Sequence, residues 1–270
     1  MPRSSASLPG HALHSTRKKE DSVNREKPKT NVTGVLLFGL LLSAQLLSSQ
    51  LRGHAQTPAG PYPAMASLAQ YLMADRDAEI QLARSAAPAS ISDHAKVLVL
   101  GSHGYETAVE GSNGFVCEVE RGWMNPFSDS EFWNPKIRGA ICFNPASARS
   151  VLPLTYKRTE LALAGLSRTE IAARLKDALD KKELPGPEAG AMTYMMSKQS
   201  YLGDTAGNAG PHLMFYTPKQ AGESWGEDLP HSPVILNLKF EDSPEPLRSY
   251  IIPVSHWSDG TPASANEHKH

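Results

Sequence analysis

The chain has 270 residues, 40% of them hydrophobic and 20% charged, with a formal net charge of −1 and two cysteines. That is the composition of an ordinary globular protein. Eight of the 27 basic and three of the 28 acidic residues precede Gln56, which leaves 19 and 25 and a net charge of −6 beyond it. A negative body without a Lys/Arg cluster argues against nucleic acid or anionic lipid as a partner.

Residues 1–55 read as a polar leader followed by an export signal. Met1–Asn31 is polar and basic; Val32–Leu47 (VTGVLLFGLLLSAQLL) is sixteen uncharged residues. At 1.5 Å per residue the run reaches ~24 Å, short of a ~30 Å hydrocarbon core. Small residues at Gly53 and Ala55 suit signal-peptidase cleavage after Ala55; an uncleaved anchor extending to Leu51 is the alternative. In that case the run is the protein's one contact with the membrane. Both readings export the body to the periplasm or beyond. Residues 56–63 are a Pro/Gly-rich linker, 64–262 a single globular domain and 263–270 a disordered tail.

Ala64–Ala87 reads as a helix with Met65, Leu68 and Leu72 on its apolar side and Asp75, Arg76, Asp77 and Glu79 in solvent. Val97–Leu100 is a buried strand. Gly101–Gly104 is a turn. Tyr105–Val109 and Phe115–Glu120 are read as a hairpin closed by Asn113-Gly114. In the second of these strands Phe115, Cys117 and Val119 share one face, and Glu118 and Glu120 the other. Cys117 and Cys142 lie in strand-like sequence and are a disulfide candidate for an oxidising compartment; two buried thiols are the alternative.

Gly122–Gly139 has no periodicity. It carries two of three aromatic–Asn-Pro turns: Trp123 before Asn125-Pro126, Trp133 before Asn134-Pro135, and Phe143 before Asn144-Pro145. Either the aromatics plug the loop onto the body or they rim a binding site. Asn144-Pro145 starts a helix that Pro153 restarts. Ser167-Arg168-Thr169-Glu170 is a capping box opening a helix to about Glu183, with Ile171, Leu175, Ala178 and Leu179 inward. Strands are expected at Ala191–Ser197, His212–Thr217, Val234–Phe240 and Tyr250–Ser255, with no helices between them. The fold class is α+β, with antiparallel sheet and about three to four helices.

No motif names a reaction or a cofactor. Gly222–Gly226 matches G-x-S-x-G, with Asp242 and His256 following in order, but Ser224 lacks the strand and helix of a nucleophile elbow. His103 and Glu106 form H-x-x-E across a turn and with His256 make a weak metal candidate; surface histidines are the default. Met192, Met195, Met196 and Met214 are read as core filling rather than a copper site. Gly203–Gly210 joins two strands and makes a poor phosphate cradle. No carboxylate pair stands out as acid and base.

The segments ARSAAP (83–88), GYETAVEGSNGFVCEVER (104–121), EFWNPKIRGAICFNP (131–145), AMTYMMSKQSYLGD (191–204) and WSDGTP (257–262) resemble a family of uncharacterised exported bacterial proteins. The resemblance implies an exported single domain and assigns no activity, ligand or catalytic residue. The functional expectation is a non-enzymatic binder of a small molecule or partner protein, with His103, Tyr105, Trp123 and Trp133 at its site. A metal-assisted or serine hydrolase and a structural envelope protein are the alternatives.

Overall fold

A computed structural model describes residues 60–219, 224–227, 229–237 and 243–264. The leader, the apolar run, Gly222, Glu223, Asp242, His268 and His270 lie outside the described residues. Among the described residues no helix is long and apolar enough to cross a membrane.

The apolar run Val97–Leu100 forms the inner part of β1 (Lys96–Gly101), buried on both faces. A strand buried on both faces needs partners at both edges, and β1 has them. On one side it pairs antiparallel with β2 (Gly104–Val109), and on the other it pairs parallel with β3 (Val116–Glu120). The tight hairpin therefore turns at Ser102-His103, and the expected β2–β3 hairpin does not form. Asn113 works as a loop clamp instead: its side-chain nitrogen donates to Ile91 O at 2.8 Å and its oxygen accepts from Phe115 N at 3.0 Å. The segment between β2 and β3 passes beneath the start of β1. There a Cβ on Gly111 would fall 2.1 Å from Lys96 N, so only glycine fits.

The remaining strands are β4 (Gly139–Phe143), β5 (Met192–Met195), β6 (His212–Pro218), β7 (Ile235–Leu236) and β8 (Leu247–Pro253). The eight described strands make one sheet in the order β2-β1-β3-β4-β5-β6-β8-β7, antiparallel except at β1–β3. The fold is a single-domain α+β structure, as the sequence indicates.

Helices cover both faces. On one, α1 (Arg76–Arg84) begins at Asp75, whose carboxylate caps the amides of Asp77 and Ala78. This cap divides the expected 64–87 helix: Leu68–Gln70 is only a 3₁₀ turn, and Met65, Leu68 and Leu72 pack with a different cluster from Leu82 and Ala83. A four-residue helix, α2 (Ala89–Ser92), follows α1. Alanines 83, 86, 87 and 140 let the α1 segment sit close over Val97, Cys117, Val119 and Cys142.

The other face carries α3 (Pro145–Ser150), α4 (Leu152–Leu163) and α5 (Arg168–Asp180). Their starts follow the sequence: Asn144 caps α3 with Pro145 in its first turn, Pro153 sits in the first turn of α4, and Ser167 and Glu170 form a reciprocal capping box. α5 ends at Asp180, earlier than expected, because Lys182 turns left-handed at φ 59°.

Cys117 and Cys142 face each other across β3–β4 and are joined by a disulfide, with Cα atoms 4.0 Å apart. The bond spans 25 residues of sequence and closes a loop worth about 3 kcal/mol in lost unfolded-state entropy. Reduction, or the Cys117→Ala/Cys142→Ala double variant, is expected to lower the melting temperature by roughly 6–12 °C for a domain of this size. Calorimetry with and without reductant checks this; an unchanged melting temperature would show that register pairing alone holds the two strands.

Candidate functional site

Alternation along β3 sends Cys117 and Val119 toward α1 and sends Val116, Glu118 and Glu120 toward α4. An alternating apolar–charged strand ordinarily turns its charged face to water. Here α4 covers that face. Its inward stripe is Leu154, Thr155, Arg158, Leu161 and Ala162, at helical spacing, so a guanidinium sits in the middle of an otherwise apolar seam.

Beneath α4 the packing leaves a cavity of about 70 Å³. Phe143, Val151, Leu154, Met124, Met214 and Leu247 supply its apolar wall. Its polar groups are Glu120, Thr155, Arg158, Tyr216, Glu245 and Ser249. The strands explain the placement. Tyr216 on β6 and Ser249 on β8 are directly paired across the sheet, and Met214 is two residues before Tyr216 on the same side. A larger open groove, about 410 Å³, lies outside the same wall; Ser243 and Glu245 line it, and Glu245 also lines the cavity.

Arg158 is 1% exposed and each of its three nitrogens makes a hydrogen bond. Nε donates to Glu245 Oε1 at 2.6 Å, and Nη2 lies 2.5 Å from the same oxygen as an ion pair and donates to Ser243 Oγ at 3.4 Å. Nη1 donates to Trp123 O at 3.0 Å and Asn125 O at 2.8 Å. The guanidinium also stacks 4.2 Å from the Phe127 ring centroid. It therefore ties together α4, the 3₁₀ turn Gly122–Met124 and the 243–245 segment.

The carboxylates are less fully satisfied. Glu245 Oε2 and Ser249 Oγ are buried without a hydrogen-bond partner among the described residues, and so are both oxygens of Glu118. Burial pushes the Glu118 carboxyl well above the usual carboxylate range, with Glu120 beside it adding to the rise. Glu120 is pushed up to about 7, again by burial, with Arg158 opposing. A carboxyl that exchanges its proton near neutrality, in a cavity with unpaired polar atoms, marks this as the chemically distinctive place in the molecule.

A second buried ion pair is structural. Arg121 Nη2 donates to Glu79 Oε1 at 2.7 Å, and that oxygen also accepts from Leu100 N at 3.1 Å. Two further Arg121 nitrogens, Nε and Nη1, donate to Tyr71 O and Val119 O. Glu79 is thus buried, where solvent exposure was expected, because Arg121 compensates its charge.

The residues singled out from the sequence lie elsewhere. Trp123 is fully buried and its Nε1 donates to Thr159 Oγ1 at 3.0 Å. Trp133 is buried edge-on against Phe132. Both are plugs in the core and neither rims a surface site. Asn134 is also buried: its amide donates to Glu131 and its oxygen accepts from Lys136 N. Tyr105 is half-buried and donates to Val119 O at 2.7 Å.

His103 is exposed at the β1–β2 turn, Glu106 pairs with Arg76 at 2.5 Å, and His256 is exposed with its ring bonded to Ser255. Among the described residues no group of three His, Cys, Asp or Glu is placed to hold a metal ion, so His103, Glu106 and His256 do not form the metal site suggested from their order. Ser224 is exposed and donates to Glu227 Oε2 at 3.1 Å, and among the described residues no histidine bonds its hydroxyl. Neighbouring Trp225 stacks on Tyr250, ring centroids 4.7 Å apart. A carboxylate acceptor and an irregular backbone do not make a nucleophile elbow.

Sequence reasoning missed Glu120, Arg158 and Glu245. One signal was present: Arg158 falls four residues after Leu154 and three before Leu161, on the apolar stripe of its own helix. No family model matches the sequence, and neither a curated protein nor a solved structure matches it.

Proposed function

We propose that the protein is a non-enzymatic binder of a small molecule, with the cavity beneath α4 as its site, and that it works outside the cytoplasm. The observation that carries the binding reading is the pair of buried, unpartnered polar atoms, Glu245 Oε2 and Ser249 Oγ, in a cavity that is otherwise mostly apolar. Buried polar atoms are ordinarily satisfied, and a bound molecule is one way to satisfy them. The extracytoplasmic reading is supported by the disulfide and by the apolar run Val32–Leu47.

The cavity is about half the ~150 Å³ that accommodates benzene, so its ligand has roughly three to five non-hydrogen atoms. At a ceiling of about 1.5 kcal/mol per atom, four atoms give at best a Kd of about 40 μM. The test is a panel of compounds of this size, read by the methyl NMR signals of Met124, Leu154 and Met214. At least one compound is expected to move these three signals together and saturably, and Leu154→Phe, which fills the space, to abolish the shift. A panel that leaves all three signals unmoved in the folded protein overturns the reading.

A further inference from the structure

The polar half of the cavity specifies the chemistry of its occupant, given that the cavity is a binding site. Arg158 has little to offer an anion: Nε and Nη1 donate to Glu245, Trp123 O and Asn125 O, and Nη2 donates to Ser243 and is ion-paired with Glu245. A carboxylate or phosphate entering the cavity would find no free cation and would meet Glu120 and Glu245 as like charges. What remains open is acceptor capacity. Glu245 Oε2 has no partner, Ser249 Oγ has none, and the half-buried Glu120 carboxylate makes no side-chain hydrogen bond among the described residues. Glu245 is 4% exposed and Ser249 2%, so bulk water is not at hand to complete them.

We propose that the cavity binds a small primary alkylammonium ion, its nitrogen directed at Glu120, Glu245 and Ser249 and its alkyl chain against Phe143, Leu154 and Met214. An ammonium group carries three N–H donors and no acceptor, which matches three open acceptors in number and sense. It also restores charge balance: Arg158 neutralises Glu245, and the ligand neutralises Glu120. A neutral alcohol fills the same space but supplies one donor and no charge. Hydrogen bonds from a charged donor are stronger than neutral ones. The ammonium makes three such bonds where the alcohol makes one neutral one, and the summed difference separates the two ligands by at least about tenfold in Kd.

The proton on Glu120 competes with the ligand. The groups facing Glu120 are Arg158 from α4, Glu118 along β3, Tyr105 from β2, Tyr216 from β6 and Glu245 from the segment before β8. Of these, Arg158 holds the carboxylate charged, and burial opposes it. Ammonium affinity therefore rises as Glu120 loses its proton.

The experiment compares propylamine, 1-propanol and propionate by calorimetric titration and methyl NMR, using the full chain at about pH 8, where an alkylamine is still protonated. Propylammonium is expected to bind at least about tenfold more tightly than 1-propanol, and propionate not at all. Glu120→Gln is expected to weaken propylammonium by about tenfold and to change 1-propanol by much less. Equal affinity for amine and alcohol, or an amine affinity indifferent to Glu120→Gln, overturns the ammonium assignment and leaves the cavity as a binding site. Absence of binding by all three in protein with a wild-type melting curve overturns both. Glu120→Asp, which keeps the charge, separates a folding defect from a lost contact: retained amine binding in Glu120→Asp but not Glu120→Gln is the result expected.

Discussion

Arg158→Met lowers the unfolding free energy by about 3–5 kcal/mol, the loss typical of breaking a buried ion pair from one side. The substitution keeps the volume and the helix propensity, so the loss is electrostatic. It strands the Glu245 carboxylate, already short of a partner at Oε2, and leaves Trp123 O and Asn125 O without their donor. The surface pair Arg149–Glu188 makes the contrast: both side chains are well exposed, and Arg149→Met is expected to change stability by less than ~1 kcal/mol. Replacing both members, Arg158→Met with Glu245→Leu, removes the stranded charge and is expected to recover much of the loss. Urea denaturation of the three variants checks this. Equal destabilisation by the Arg149 and Arg158 changes would show that the buried pair contributes no more than a surface one.

Stability is expected to fall as pH rises from about 4.5 to 8. In the folded chain Glu120 titrates at about 7 and Glu118 well above its ordinary value, both raised first by burial. A carboxyl whose folded value is raised favours the protonated folded state. Its contribution is complete below the unfolded value, about 4.5, and is lost as pH climbs through the folded one. For Glu120 that shift corresponds to about 3 kcal/mol at 1.36 kcal/mol per pH unit. Glu118 adds to the loss in the same direction.

The acid side is set by groups of the opposite sense. Hydrogen bonds from Lys136, Tyr201 and Tyr62 hold Asp204 well below the usual range, and those from Thr261 and Lys198 do the same for Asp259. Their contributions are present above the unfolded carboxylate value and lost below it. The maximum therefore lies near pH 5. Denaturation curves for wild type and Glu118→Leu across this interval test the assignment: the variant is more stable at pH 8 and has a shallower alkaline slope. A wild-type profile that rises from pH 5 to pH 8 would contradict it.

Much of the scaffold is legible in local chemistry. The uninterrupted run Val97–Leu100, the Ser167–Glu170 capping box, Asn144-Pro145 and the four C-terminal strand segments each carry their own signal within a few residues. Those signals place β1, α3, α5 and most of the antiparallel half of the sheet. Pairing between distant segments is not local. Asn113-Gly114 has the dipeptide of a hairpin, yet Asn113 clamps Ile91 and Phe115 while β3 crosses to the far edge of β1. The binding site is hidden for a related reason. Glu118 and Glu120 alternate with apolar residues as they would on a wet strand, and only α4, docking from about forty residues later in the chain, turns that face into an interior. Trp123 and Trp133 mislead in the opposite sense, since an aromatic loop without periodicity reads equally as a binding rim or as a plug.

The most direct measurement is a crystal structure of the protein grown with whichever panel compound saturates the cavity methyl signals. The expected result is ligand density enclosed by Phe143, Leu154 and Met214, with its polar atom within hydrogen-bond distance, about 3 Å, of Glu120 or Glu245 Oε2. A cavity holding only water at saturating ligand, with the compound bound elsewhere on the surface, would contradict it.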